Sequence, residues 1–252
     1  MRSELRKLVL VIAAVFGSAG CIVGDGVLAA RDSFEETRPF EPGGTFELQN
    51  TNGRIIVATW DQDRVRIEAE KAATTERLLE KIEIDVSGEG SWVRVETRLP
   101  RRWPFGTSGS VSYHVTLPRR ARLELETVNG RVEVEGISGE VRATTVNGRV
   151  EITRTAGEIE ASTVNGSIEV SYDEADADGH HSFSTTNGSV TLHLPSDVSG
   201  RFEARTVNGS IRTDFPLEVK GRIGKRLEGR LGNGRGSFEI CTVNGSVKIR
   251  ES

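Results

Sequence analysis

Three groups of residues in this chain have types and spacings that could do chemistry. The stretch "DEADADGHH" (173–181) sets Glu174, Asp176 and Asp178 at alternate positions ahead of Gly179. Calcium loops open that way, with hard oxygen ligands on alternating side chains around a tight turn. Thr185, however, stands where such a loop needs its closing bidentate glutamate, so a solvated surface loop is the simpler reading. His180 and His181 as transition-metal ligands are a weaker alternative. The second group is "VKGRIGKRLEGRLGNGRG" (219–236), where Lys220, Arg222, Lys225, Arg226, Arg230 and Arg235 face one acid, Glu228. Such a segment could meet anionic headgroups or an anionic envelope polymer, and a solvated hairpin explains it equally simply. The third group is the histidines, His114, His180, His181 and His193. They build no HExxH zinc helix, and the chain has no GxSxG elbow. No catalytic residue, committed metal site or cofactor is implied.

Those residues sit in a chain of 252 with a formal net charge of −4. The composition is that of an ordinary folded protein, and the charge gives no reason to approach nucleic acid. The first residues form a targeting segment: Arg2, Arg6 and Lys7, the apolar run 8–16, small residues 17–20, then Cys21. That pattern is similar to a bacterial lipoprotein signal, with Cys21 as the lipidated residue, although Ser18 replaces the usual leucine three places earlier. Cleavage after Ala29 and an uncleaved membrane anchor are the alternatives, and all three export the chain. The one other cysteine is Cys241, so once Cys21 is acylated or removed no intramolecular disulfide remains. Core and backbone hydrogen bonds must then hold the fold.

What positions everything is a repeat. Asn-Gly pairs begin at Asn52, Asn129, Asn147, Asn165, Asn187, Asn208 and Asn244, and self-similarity near 20 residues marks stacked supersecondary units. Before the turns, apolar residues alternate with charged ones, as in Leu123-Leu125-Thr127, Val141-Ala143-Thr145 and Ile159-Ala161-Thr163; after them come Val132-Val134, Val150-Ile152 and Ile168-Val170. Each unit therefore reads as two half-buried strands joined by a corner.

An antiparallel meander would place equivalent asparagines two strands apart, about 9.6 Å. One coil of a solenoid per 18 residues places them about 4.8 Å apart, where their amides can bond in a ladder. The solenoid is favoured because Thr and Asn share the parity of the apolar residues, and an inward polar row requires identical neighbours as partners. The glycine after each asparagine is expected to serve a positive φ at the corner. Roughly seven coils fit in 123–249. The expected class is all-β, a parallel β-solenoid (β-helix-like) with an N-terminal β-rich cap containing one short helix.

Phe46 to Gly53 with Ile55 and Val57 fits the same template, so the domain is expected to run 43–252, with 43–122 as cap or modified coils and 123–250 as regular repeats. Residues 1–20 are read as signal and 21–42 as a lipid-anchored tether. Within the cap, strands are expected near 64–70, 81–87, 92–99 and 111–118, a helix within 73–82 started by Thr74 or Thr75, and a loop at 100–109.

The ordered series "TTERLLEKI", "VETRLP", "VSYHVTLP", "TVNGRVEV", "SGEVRATTVNG" and "LEGRLGNGRGSFEICTVNGSVKI" resembles the bacterial putative-adhesin family of β-strand-repeat domains, over about residues 40–250. The resemblance implies an exported β-solenoid of unassigned function and carries over no catalytic residue. The function expected is a non-catalytic cell-envelope scaffold or adhesin-like interaction protein on a lipid anchor, facing the periplasm or the cell surface. Its partners would be the membrane, through the anchor, and an envelope protein or glycan. The alternative is a polysaccharide-binding or polysaccharide-processing β-helix protein. Oligomeric state and handedness are not set by the sequence.

Overall fold

A computed structural model describes residues 28–100, 108–174, 179–216, 218–219, 225–234 and 236–252. Strands dominate it. The N-terminal part holds β1 (Ala30–Gln49), β2 (Ile55–Trp60), β3 (Arg64–Ala73), the one-turn helix α1 (Glu76–Leu79), β4 (Glu83–Ser87), β5 (Gly90–Arg98) and β6 (Gly109–Pro118). Paired strands follow: β7 (Arg122–Asn129) with β8 (Val132–Glu135), β9 (Val141–Asn147) with β10 (Val150–Thr155), and β11 (Ile159–Asn165) with β12 (Ile168–Tyr172). Next are β13 (His180–Asn187) with β14 (Val190–Leu194) and β15 (Gly200–Asn208) with β16 (Ile211–Thr213). The chain ends with β17 (Glu218–Val219), β18 (Arg226–Leu231), and the pair β19 (Ser237–Asn244) with β20 (Val247–Glu251).

In each pair the first strand enters a leading sheet and the second a trailing sheet. The strands stack parallel and in register: Leu123 lies beside Val141 and Val141 beside Ile159, while Val132 lies beside Val150 and Val150 beside Ile168. Alternation does the rest, because inward residues such as Leu123, Leu125, Val132 and Val150 are fully buried and their neighbours face water. Parallel pairing excludes the antiparallel meander for these units.

The corner between the two sheets differs from expectation in two ways. Asn129, Asn147, Asn165, Asn187, Asn208 and Asn244 are exposed, and Asn52 is half-buried. The asparagines therefore stand on the outside of the corner and do not form a spine within the core. The inward polar row is threonine, with Thr145 and Thr163 1% and 5% exposed. The Thr145 hydroxyl donates to the Gly130 carbonyl of the neighbouring coil and that of Thr163 to Gly148, both at 3.1 Å. At the first coil Asn50 takes this place, and its amide reaches the Gly53 and Val111 carbonyls.

The second difference concerns glycine. A positive φ occurs at Gly53, but not at Gly130, Gly148, Gly166, Gly188, Gly209 or Gly245. A Cβ on Gly148 would stand 1.9 Å from the Gly130 carbonyl oxygen, and one on Gly166 would stand 1.8 Å from that of Gly148. Neighbouring backbones meet so closely at this edge that no side chain fits between them. The midway glycines do the same at the opposite corner, where a Cβ on Gly157 would be 2.0 Å from the Gly139 carbonyl.

The stacking order departs from the chain order. β13 pairs with β19, and β19 pairs with β15; β14 pairs with β20, and β20 with β16. The C-terminal pair is thus inserted between the two that precede it. Residues 123–249 hold six such pairs where roughly seven were expected. The long final step is occupied by the antiparallel strands β18 and β17, which extend the leading sheet beyond β15. Inside, His181, Phe238 and Phe202 stack in that rung order, each neighbouring pair of ring centroids 4.5 Å apart.

The N-terminal end also corrects a boundary. β1 starts at Ala30 and its first half pairs antiparallel with β3, so residues 30–42 belong to the folded unit and are not a tether. The strand then crosses to the leading sheet, where Thr45–Gln49 lies between β5 and β7. Phe40 is buried at this crossing. The four expected cap strands are present as β3, β4, β5 and β6. α1 links β3 to β4 and buries Leu78, with Ile82 just beyond it. Thr75 occupies its N-cap position without a side-chain bond; the Thr74 hydroxyl bonds the Ser108 backbone instead.

Candidate interaction surface

What this fold offers to a partner is the outside of its coils, where equivalent residues form columns along the stack. At the corner, the asparagine amides form one continuous series. Asn208 Nδ2 donates to Asn244 Oδ1, Asn244 to Asn187 and Asn187 to Asn165, each at 2.8 Å. Asn165 donates to Asn147 at 2.9 Å, Asn147 to Asn129 and Asn129 to Asn52 at 2.8 Å. Asn52 ends the series on the Gly109 carbonyl at 3.1 Å. Every amide points the same way and retains a second N–H for an outside acceptor.

Next to the asparagines, one residue back in each leading strand, runs an apolar column. In stacking order it is Thr51, Val128, Val146, Val164, Thr186, Val243 and Val207, and the valines are among the few large hydrophobic residues left exposed. Two residues further back, the leading sheet presents Glu96, Gln49, Glu126, Thr144, Ser162, Ser184, Cys241, Arg205 and Arg226. A hollow of about 440 Å³ lies between these columns over the N-terminal coils, lined by Gln49, Thr51, Glu96, Glu126, Val128 and Val146.

The trailing sheet carries charge. Glu133, Glu151 and Glu169 form an acidic column, and each is engaged: Arg131 holds Glu133 at 3.0 Å, Arg149 lies 3.5 Å from Glu151 and also bonds Glu169, and His193 is 3.6 Å from Glu169. A hollow of about 360 Å³ beside them is lined by Ile56, Ala58, His114, Glu133, Glu135, Glu151 and Thr153. Surface pairs of this kind contribute about 0–1 kcal/mol each; their effect here is to leave the carboxylates occupied.

The expected site residues fare differently. Cys21, Asp176, Asp178, Lys220, Arg222 and Arg235 lie outside the described residues. Glu174 is exposed at the end of the described segment. Among the described residues, no three His, Cys, Asp or Glu side chains gather to hold a metal ion. His180 and His181 point to opposite sides of β13: His180 is exposed and bonds the Ser237 hydroxyl, while His181 is fully buried and bonds the Tyr172 hydroxyl at 2.8 Å. They cannot share a metal. Lys225, Arg226 and Arg230 are exposed, and Arg226 already pairs with Glu228 and lies 3.9 Å from Glu203. Cys241 is half-buried and free; burial, then Glu239, raises its thiol pKa, which lowers the reactive thiolate fraction. The valine column, His181 in the core and the inserted coil escaped sequence reasoning. The Val in every "TVN" was the available signal for the first.

The family model of the Toastrack DUF4097 domain matches residues 105–250, more than half of the chain and all of its regular coils. The chain belongs to the Toastrack DUF4097 family. Solved structures resemble this Toastrack chain over 88% of its length. A putative cell adhesion protein from Clostridium sporogenes is covered in full, with TM-score 0.51 and 13% identity. A putative adhesin from Bacteroides fragilis is covered over 97%, with TM-score 0.44 and 10% identity. At such identities the likeness is one of fold. No curated protein matches the chain, and among the described residues no helix is long and apolar enough to cross a membrane.

Proposed function

We propose that this protein is a non-catalytic, exported scaffold or adhesin-like interaction module of the cell envelope. It is tethered through lipid on Cys21 and presents its coil faces to an envelope protein or glycan. The observation that carries this reading is the outer surface itself. Its polar and apolar groups are arranged in flat columns, and the carboxylates beside its trailing-sheet hollow are paired with arginines. Nothing there resembles a walled cleft with converging acid and base. Flat, repeated faces suit many weak contacts.

Polysaccharide binding or processing is the second reading, and the hollow holding Glu133, Glu135, Glu151 and His114 favours it. A glycan array and an envelope-fraction pull-down with the purified protein decide between the two. Retention of a glycan or envelope protein without turnover supports the module; release of shortened sugars contradicts it. Palmitate labelling tests the anchor: label present in the wild type and absent from Cys21→Ala is expected, and an unlabelled wild type refutes it. Calorimetry with calcium tests Glu174, Asp176 and Asp178, and no binding heat is expected. Vesicle binding that ignores lipid charge would remove the anion-binding role of Lys220, Arg222, Lys225, Arg226 and Arg230.

A further inference from the structure

We infer that two copies of this chain associate antiparallel through the valine column of the leading sheet. Three features of that face agree.

The first is exposed apolar surface in one line. Val128, Val146, Val164, Val243 and Val207 are 37–56% exposed, at about 4.8 Å intervals set by the strand spacing. Strand faces bounded by charge serve solubility; a continuous apolar line does not.

The second is charge. The column beside the valines begins with Glu96 and Glu126, passes through Thr144, Ser162 and Ser184, and ends in Arg205 and Arg226. A two-fold axis lying in the interface and perpendicular to the stack keeps this column on the same side and reverses its order. With the axis at Val164, the middle of the apolar column, Glu96 meets Arg226 of the second copy and Gln49 meets Arg205. The central hydroxyl residues meet each other. A parallel pairing would instead leave each valine against its own equivalent and remove this match of opposite charge.

The third is shape. Val207, the most exposed valine at 56%, and Val243 stand in the C-terminal half of the column. The 440 Å³ hollow, with Thr51, Val128 and Val146 in its wall, occupies the N-terminal half. The same two-fold operation sets Val207 opposite Thr51 and Val243 opposite Val128, so the raised half of each copy enters the hollow half of the other. Such self-complementarity is what an isologous interface requires.

The contact runs about 29 Å along seven rungs and spans about 13 Å across two columns, using strand spacings. That is about 380 Å² per copy, below the roughly 800 Å² per partner of stable complexes. The dimer is therefore weak and reversible, populated where copies are crowded.

Disulfide trapping tests the geometry in the full chain, expressed in cells with Cys241→Ser as background and oxidised in place. Val164→Cys lies on the axis and is expected to give a covalent dimer on a non-reducing gel. Val128→Cys alone is expected to give none above background, and Val128→Cys with Val243→Cys is expected to restore it. Self-trapping of Val128→Cys as strongly as Val164→Cys would show a parallel pairing and overturn the proposal; no dimer at any valine position would overturn it altogether. Glu96→Arg is expected to lower Val164→Cys trapping by at least about tenfold through like-charge repulsion, and added Arg226→Glu to recover it. Failure of that rescue also counts against the proposal. Far-UV circular dichroism of each variant identifies any that fail to fold.

Discussion

Gly148→Ala tests the close approach of the coils. The new methyl carbon would sit 1.9 Å from the Gly130 carbonyl oxygen, whereas real contacts of this kind begin near 3.0 Å. The coils must part locally by the difference, a little over 1 Å, and the obstacle is backbone that cannot rotate away. Two hydrogen bonds cross that gap, Gly130 N–H to the Asn147 carbonyl at 3.1 Å and Asn147 Nδ2 to Asn129 Oδ1 at 2.8 Å, and both would stretch beyond bonding distance. Overpacking costs about 1–3 kcal/mol and each lost bond about 0.5–1.5 kcal/mol, giving about 2–6 kcal/mol. Gly90 is the control, with φ +73° and nothing closer than a flexible Glu41 carboxylate oxygen at 3.4 Å. Alanine there costs only the left-handed backbone strain, about 1–2 kcal/mol. Equilibrium urea unfolding followed by circular dichroism measures both. If Gly148→Ala costs no more than Gly90→Ala, the repeated glycines serve conformational freedom and the steric argument fails.

Asn165→Ala removes two exposed amide bonds and is expected to cost only about 0.5–1.5 kcal/mol by the same assay; a loss as large as that of Gly148→Ala would mean the asparagines carry the stack. The two tyrosines are both buried, and burial pushes Tyr113 up to about 12 and Tyr172 well above its ordinary value. A phenol whose folded pKa is raised stabilises the fold fully below its unfolded value of about 10, and that contribution fades as pH climbs toward the folded value. Tyrosinate absorbance at 295 nm should therefore stay low to pH 10 and rise beyond it together with unfolding; ionisation near 10 in folded protein would contradict this. Deleting residues 237–252 removes a coil from within the stack, so it is expected to abolish the cooperative unfolding transition. A truncated chain that still melts cooperatively with one coil's signal missing would refute the internal position.

Much of this architecture is legible in the sequence because period-two alternation and recurring "TVNG" act locally. Leu123, Leu125, Val132 and Val134 declare their buried face by spacing alone. Burial at the corner is less legible. Asn129 shares the parity of Leu125 and Thr127, yet the chain bends between Thr127 and Asn129, so parity no longer predicts which side faces in. Glycine carries two meanings, free backbone and absent side chain, and only coordinates separate Gly53 from Gly148. The inserted coil is invisible in principle: β15 and β19 have the same inward pattern, Phe202-Ala204-Thr206 and Phe238-Ile240-Thr242, so either could lie beside β13. What favours the observed order is non-local, including His181 stacked on Phe238. The surface is least legible, because its column of valines depends on which coil lies above which.

The rung order can be read by disulfide formation with Cys241→Ser as background. Thr191 lies beside Lys248 in adjacent strands of the trailing sheet, and Lys248 beside Arg212. Disulfides form between Cα atoms up to about 6.8 Å apart, which admits neighbouring strands and excludes those about 9.6 Å apart. Thr191→Cys with Lys248→Cys should therefore bridge within one chain, and Thr191→Cys with Arg212→Cys should not. The reverse result would place the coils in chain order and contradict the account.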